Sequence, residues 1–283
     1  MDATPLFHSQ NGDISAHTIQ EALRTVRADE CDVLYIHTGM RFGTPAGDIS
    51  RKTLLSALLD CLESLRVGTL IFPTFTFSFC NNEAYDRQKS PSQMGALNEF
   101  ARKSGKGVRS ADPLLSVCIL GKRTDLAENL SQYSIGEGSN YDKLHHCGDK
   151  VKFLFFGADM RECFTYTHYM EAVMKSPYRY DREFSGLVID GEKRQQTTCY
   201  LYTTYANCTL NPVPVVYNEM KQRGQLLQTA LGNGTVLTLE EQDGFATIAE
   251  LLEKDPYCLT DGTFDPSRAD RAYDNSVRVV SVK

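Results

Sequence analysis

The 283-residue chain contains no Cys-x-x-Cys pair, no apolar run near bilayer length and no surplus of basic residues. The nine cysteines are odd in number and scattered. Most sit in apolar contexts, such as Cys118 in SVCIL and Cys61 in LLDCLESL. This pattern reads as reduced, mostly buried thiols and argues against a disulfide framework. The longest apolar stretch, Val151 to Ala158, has the length of a buried strand, whereas a membrane span needs about 20 residues. The first residues, MDATPLFHSQNGD, show neither a basic start nor an apolar stretch, so no signal peptide is expected. Lys and Arg number 30 against 36 Asp and Glu, giving a net charge of −6. A nucleic-acid binder would show a basic excess; this chain is expected to have neither a nucleic-acid nor a membrane partner and to be cytoplasmic. Repeats, low-complexity linkers, and Walker or dinucleotide glycine fingerprints are also missing, so one domain over residues 1–283 is expected.

What is present is an alternation of short apolar runs with longer amphipathic ones, the order of an α/β protein. Asp32 to Ile36, Thr69 to Phe72 and Val151 to Phe156 read as buried strands. Thr18 to Arg27 reads as the first helix. Ile49 to Leu65 reads as the next, with leucines at helical spacing and Asp48 as its cap. Phe164 to Lys175 is another helix. Asp190-Gly191, flanked by alternating segments, predicts a β-hairpin over about 184–205, added to the main unit. The last segment, Ser276 to Val282, reads as an edge strand or tail, within a C-terminal tail of about 262–283.

Ligands of α/β sheets bind beyond the carboxyl ends of the strands. Three such junctions carry hydroxyls and backbone donors: His37-Thr38-Gly39-Met40-Arg41, Pro73-Thr74-Phe75-Thr76 and Arg109-Ser110-Ala111-Asp112-Pro113. Free N–H groups with hydroxyls and an arginine suit a pyrophosphate, although each stretch also reads as an ordinary polar loop. His168 is the sharpest single residue. A helix puts it on one face with Glu171, three residues on, so a carboxylate can orient an imidazole that takes a proton from an amine near neutral pH. A surface His–Glu pair is the plainer reading. His145-His146-Cys147 is a weak metal candidate, since adjacent residues rarely converge on one ion, and no metal is expected. Cys80, Cys118 or Cys163 beside His168 would make a nucleophilic pair, although buried cysteine is the common case. The run Tyr178-Arg179-Tyr180-Asp181-Arg182 reads either as a sugar-stacking surface or as a solvated turn.

Taken in order, these segments resemble the aminoglycoside 3-N-acetyltransferase family over about residues 18–260. His37 to Arg41 is similar to its His-Ser-Ser-Leu loop. Gly68-Thr69-Leu70 with Pro73 to Thr76 is similar to its Gly-Thr-Leu…Pro-Thr-Phe-Thr. Val108-Arg109-Ser110, Pro113 and Ser116-Val117 resemble its Arg-Ser…Pro…Ser-Val. Gly138-Ser139 with Tyr141 to Leu144 matches a further segment. Thr167-His168-Tyr169 with Glu171 matches its Thr-Leu-His-x-x-Glu.

The resemblance implies a three-layer α/β/α fold with a mixed, mostly parallel central sheet, unlike the GNAT fold. It also implies direct transfer from acetyl-CoA or another acyl-CoA. By match, Thr38, Gly39 and Met40 would meet the coenzyme, with His37, Thr74, Arg109, Ser110 and Ser116 in the same set. His168 would be the base, oriented by Glu171, and Thr76 (or Thr74) the oxyanion donor. Asp112 and Leu115 stand where drug-modifying members tend to carry histidines. The Ser176 to Asp181 run looks like a branch found with surface-polysaccharide genes. A nucleotide-linked amino sugar is therefore the expected substrate, with Arg179, Arg182 or Lys175 on its diphosphate and Tyr178 at the sugar. An aminoglycoside is the alternative, and a homodimer is left open.

Overall fold

A computed structural model describes residues 4–273 and 278–279. Seven strands form the main sheet, in the order Leu227–Leu231, Gly234–Glu240, Val151–Phe156, Val33–Thr38, Thr69–Pro73, Val117–Gly121, Val108–Arg109. The Val33–Thr38 strand pairs parallel with both of its neighbours, and every other pairing in this sheet is antiparallel. The sheet is thus mixed, as expected, but not mostly parallel: four of its six pairings are antiparallel, and parallel order is confined to its three central strands.

Those three strands are apolar on both faces, because each face carries a layer of helices. Side chains alternate with period two. Val33, Tyr35, Ile71, Phe153 and Phe155 enter one core with the helices Asn140–His145, Tyr166–Val173 and Glu241–Lys254. Leu34, Ile36, Leu70, Phe72, Leu154 and Phe156 enter the other, with Ala16–Thr25, Arg51–Glu63 and Ala96–Lys103. The result is a three-layer α/β/α arrangement.

Several boundaries differ from expectation for local reasons. Ser50, rather than Asp48, caps the helix Arg51–Glu63 by accepting the Thr53 N–H. The expected helix 164–175 is shorter, Tyr166–Val173, and a separate short helix, Met160–Cys163, capped by Asp159, precedes it. The hairpin is longer than its turn signal suggested. Arg179–Asp190 and Lys193–Thr204 pair along their whole length, and Tyr85–Asp86 joins as a third strand. Most of the predicted C-terminal strand Ser276 to Val282 lies outside the described residues. Among the described residues no helix is long and apolar enough to cross a membrane.

Candidate active site

The helix Tyr166–Val173 starts just after the central strand Val151–Phe156 and its short helical turn. One turn of it presents His168 and Glu171 together, with Nδ1 of His168 2.7 Å from Oε2 of Glu171. The imidazole keeps 30% of its side-chain surface, whereas Glu171 is fully buried. Two residues from the start of the long hairpin complete the carboxylate's shell. Tyr178 Oη donates to Oε1 at 2.7 Å, and Arg179 Nη2 stands 2.7 Å from Oε2. Burial alone would push the Glu171 carboxyl up. The Arg179 charge and then the His168 contact outweigh it, and the group comes down to about 2.

An ionised carboxylate has only acceptor oxygens. The proton in the His168–Glu171 contact therefore sits on Nδ1, and the lone pair is on Nε2. Arg179 Nη2 lies 2.8 Å from Nδ1 because both groups converge on the same carboxylate oxygen. What this arrangement can do is hold a neutral imidazole in one tautomer, ready to accept a proton at Nε2.

A cavity of about 350 Å³ opens beyond the carboxyl ends of the central strands, with His37, Thr38, Gly39, Asn98, Glu162 and Cys163 among its walls. The segment from Asp159 to Cys163 forms one side and leads into the helix that carries His168, but neither His168 nor Glu171 is among the residues lining this cavity. Gly39 lines the cavity and packs against Gly157. A Cβ on Gly39 would fall 2.2 Å from the Gly157 carbonyl oxygen, and a Cβ on Gly157 would meet the Met40 and Arg41 nitrogens at 2.9 Å. The loops after two neighbouring parallel strands thus touch backbone to backbone. Thr38 donates to Asn98 at 2.6 Å, and Asn98 donates to the Pro73 carbonyl at 2.8 Å, tying the third central strand to the same cavity. His37 stacks on Phe155 at 4.9 Å, and burial pulls its imidazole down to about 3. Its Nε2 is sealed and has no hydrogen-bond partner among the described residues.

This lining fits one part of a coenzyme A better than another. Arg41 is the guanidinium on the wall, and it is paired with Glu162 at 2.5 Å; Asp159 adds a second carboxylate. Neutral hydroxyl, amide and backbone groups over an apolar floor suit an amide-bearing pantetheine arm. They offer little surplus charge to a pyrophosphate.

The remaining sequence candidates fall into three groups. His37, Thr38 and Gly39 line the cavity. Met40 has a left-handed backbone (φ 50°), and its side chain packs against the opposite core. Thr74, Arg109, Ser110 and Ser116 require correction: they are buried and bonded to one another and to nearby carbonyls. Arg109 reaches the Thr74 carbonyl at 2.7 Å and the Ser90 carbonyl at 2.5 Å, Ser116 donates to the Thr74 carbonyl at 2.7 Å, and Ser110 accepts the Val117 N–H. Their donors lock the edge strands and face no ligand space. Thr76 needs the same correction as an oxyanion donor. Its hydroxyl proton goes to the Pro113 carbonyl at 2.8 Å, and its oxygen accepts from Ser78.

Tyr178 and Arg179 are also corrected. The tyrosine is fully buried and the arginine is spent on Glu171 and the Tyr202 carbonyl, so neither meets a sugar diphosphate. Arg182 lies over the rings of Phe184 and Tyr273, and Lys175 is an exposed residue ending the helix with φ 54°. His145 is bound to Glu241 at 2.8 Å and stacked on Phe245. Among the described residues no group of three His, Cys, Asp or Glu converges as metal ligands would. Burial pushes the Cys80 and Cys163 thiols up to about 12 and Cys118 to about 11, which keeps them protonated and poorly nucleophilic. Asn98 went unread in the sequence because its partners are distant along the chain.

Comparison with known proteins assigns the class first: an acyltransferase enzyme on an α/β/α fold distinct from GNAT. The family model described as aminoglycoside 3-N-acetyltransferase matches residues 36–254, and the chain belongs to that family. No curated protein sequence matches the chain. Among solved structures, AAC-IIIb with CoASH superposes with a TM-score of 0.72 at 18% identity, over 85% of this chain and 97% of that one. AAC-VIa bound to sisomicin gives 0.69 at 21%, over 85% and 98%. The YokD protein from Bacillus subtilis gives 0.70 at 16%, over 85% and 94%. At these identities the likeness is one of fold.

Proposed function

We propose that this chain, acting as one domain, transfers an acetyl or short acyl group from acyl-CoA to an amine of an aminoglycoside, with His168 as general base. The observation that carries the reading is the His168–Glu171 contact, buried on the carboxylate side and open on the imidazole side. Acyl-CoA supplies the electrophilic thioester carbonyl and a thiol leaving group. The acceptor amine attacks that carbonyl, its proton passes to Nε2 of His168, and the same nitrogen returns a proton to the departing sulfur. A positioned base of this kind contributes on the order of 10²–10⁴-fold. His37, Thr38 and Gly39 would hold the pantetheine arm where their cavity meets the Asp159–Cys163 segment.

Family membership supports an aminoglycoside acceptor, and AAC-VIa of the same fold is solved with sisomicin. The nucleotide-linked amino sugar is the weaker reading, because Arg179 and Tyr178 are committed to Glu171. Mass spectrometry of the product separates the two. With acetyl-CoA, sisomicin should gain one acetyl group. Acetylation of a nucleotide-linked amino sugar alone would reverse the choice of acceptor.

A further inference from the structure

A second cavity, also of about 350 Å³, lies between the 127–134 loop and the hairpin strand Lys193–Thr204. Its size falls within the range of small-molecule sites, about 300–1,000 Å³. Neither His168 nor Glu171 lines it. Asp112 stands at its base and is 8% exposed. Oδ1 of Asp112 is saturated: it accepts from the Leu114 N–H at 2.8 Å, the Leu115 N–H at 3.1 Å and the Ser134 hydroxyl at 2.8 Å. Oδ2 carries no hydrogen bond from any described residue, and Asp112 is one of the residues lining the cavity.

Burial pushes the Asp112 carboxyl up, against the hydrogen bonds it accepts from Leu114, Ser134 and Leu115, so its ionised form with one oxygen unused is costly unless a cation arrives to pair with it. Glu128, the other acid on the walls, has its cation in Arg87 at 2.5 Å. No described cation pairs with Asp112, and no Lys, Arg or His lines the cavity. The polar walls are rich in acceptors. Ser134 spends its proton on Asp112 and Ser131 spends its own on the Glu137 carbonyl while accepting from the Tyr133 N–H, so neither hydroxyl is left as a donor for a ligand. Such a cavity selects a ligand that brings donors and one positive charge.

We propose that this cavity is a second ligand site that takes a hydroxylated ring bearing an ammonium group, an amino sugar, with the ammonium on Oδ2 of Asp112 and ring hydroxyls on the Ser131 and Gln132 side. The ring can come as a free monosaccharide or as an outer ring of a larger acceptor. The site stands independently of the transfer reaction, since it needs neither acyl-CoA nor His168.

The test is calorimetric titration of the whole chain with D-glucosamine and with N-acetyl-D-glucosamine, without acyl-CoA. Glucosamine should bind at least tenfold more tightly than its uncharged N-acetyl form. Asp112→Asn should weaken glucosamine at least tenfold, and Ala111→Leu, at an exposed position on the cavity wall, should do the same. His168→Ala should leave this binding intact. Asp112→Asn keeps an oxygen for the three Oδ1 donors; should it fail to fold, the Ala111→Leu result decides. Repeating the titration with sisomicin distinguishes the sources: a larger loss for sisomicin than for glucosamine in Ala111→Leu marks an outer-ring subsite, and an equal loss marks a free-sugar site. Equal affinity for the two monosaccharides, glucosamine binding unchanged in the folded variants, or no binding to the wild type would each overturn the proposal.

Discussion

Nδ1 of His168 and Oε2 of Glu171 stand 2.7 Å apart on one helical turn, the ring partly exposed and the carboxylate fully buried. This pairing fixes the imidazole tautomer, and Tyr178 and Arg179 in turn fix the carboxylate. The same four groups form one connected polar cluster around the proposed base.

Glu171→Gln should be destabilising as well as slow. It leaves the Arg179 guanidinium buried without its counter-charge, a loss of about 3–5 kcal/mol, read by urea unfolding. The pH dependence has a definite sign. The folded carboxyl titrates at about 2 instead of the usual 4.5. Its stabilisation is complete above about pH 4.5 and disappears as pH falls toward about 2. The variant should lack that part of the acid transition.

Tyr178→Phe removes one hydrogen bond to a charged acceptor and nothing else from the ring. About 1.5–3 kcal/mol of stability should be lost. Turnover should fall with little change in KM for the acceptor, because the tyrosine is buried away from it. A rise in KM with unchanged kcat would show that the residue touches substrate after all.

His37 gives a second acid-sensitive signature. Burial holds the folded imidazole at about 3 against a usual 6.5, so the unfolded chain takes up a proton that the folded chain refuses. Stability attributable to this residue is full above about pH 6.5 and drains away as pH falls toward about 3. His37→Phe keeps the stack on Phe155 and removes the sealed nitrogen. Thermal melts across that window should be flatter than wild type, with no loss at pH 7.

Gly39→Ala tests the wall of the cavity. The new Cβ would lie 2.2 Å from the Gly157 carbonyl oxygen, a backbone atom that cannot rotate aside. Overpacking of this kind costs about 1–3 kcal/mol, visible as a lower Tm. The displaced loop should also raise KM for acetyl-CoA more than KM for the acceptor.

The central strands were readable in the sequence because they are short, continuous apolar runs bounded by glycine and proline. The His168–Glu171 pair was readable because a helix brings residues three apart onto one face. The partners of that pair were not. Tyr178 and Arg179 look like surface residues in sequence, and only the start of the long hairpin turns them inward onto Glu171. Thr74, Arg109 and Ser116 show the opposite error. Their hydroxyls and charge suggested a ligand, but distant carbonyls claim them once the edge strands pair. Sequence spacing reports which groups share a face. It does not report which of their hydrogen bonds are already taken.

The most direct test of the account is steady-state thiol release from acetyl-CoA with sisomicin as acceptor, comparing wild type with His168→Ala. Wild type should turn over. The variant should lose about 10²–10⁴-fold in kcat while binding acetyl-CoA with unchanged affinity and melting within a few degrees of wild type. Equal turnover by a folded His168→Ala protein would contradict the assignment of this imidazole as the base.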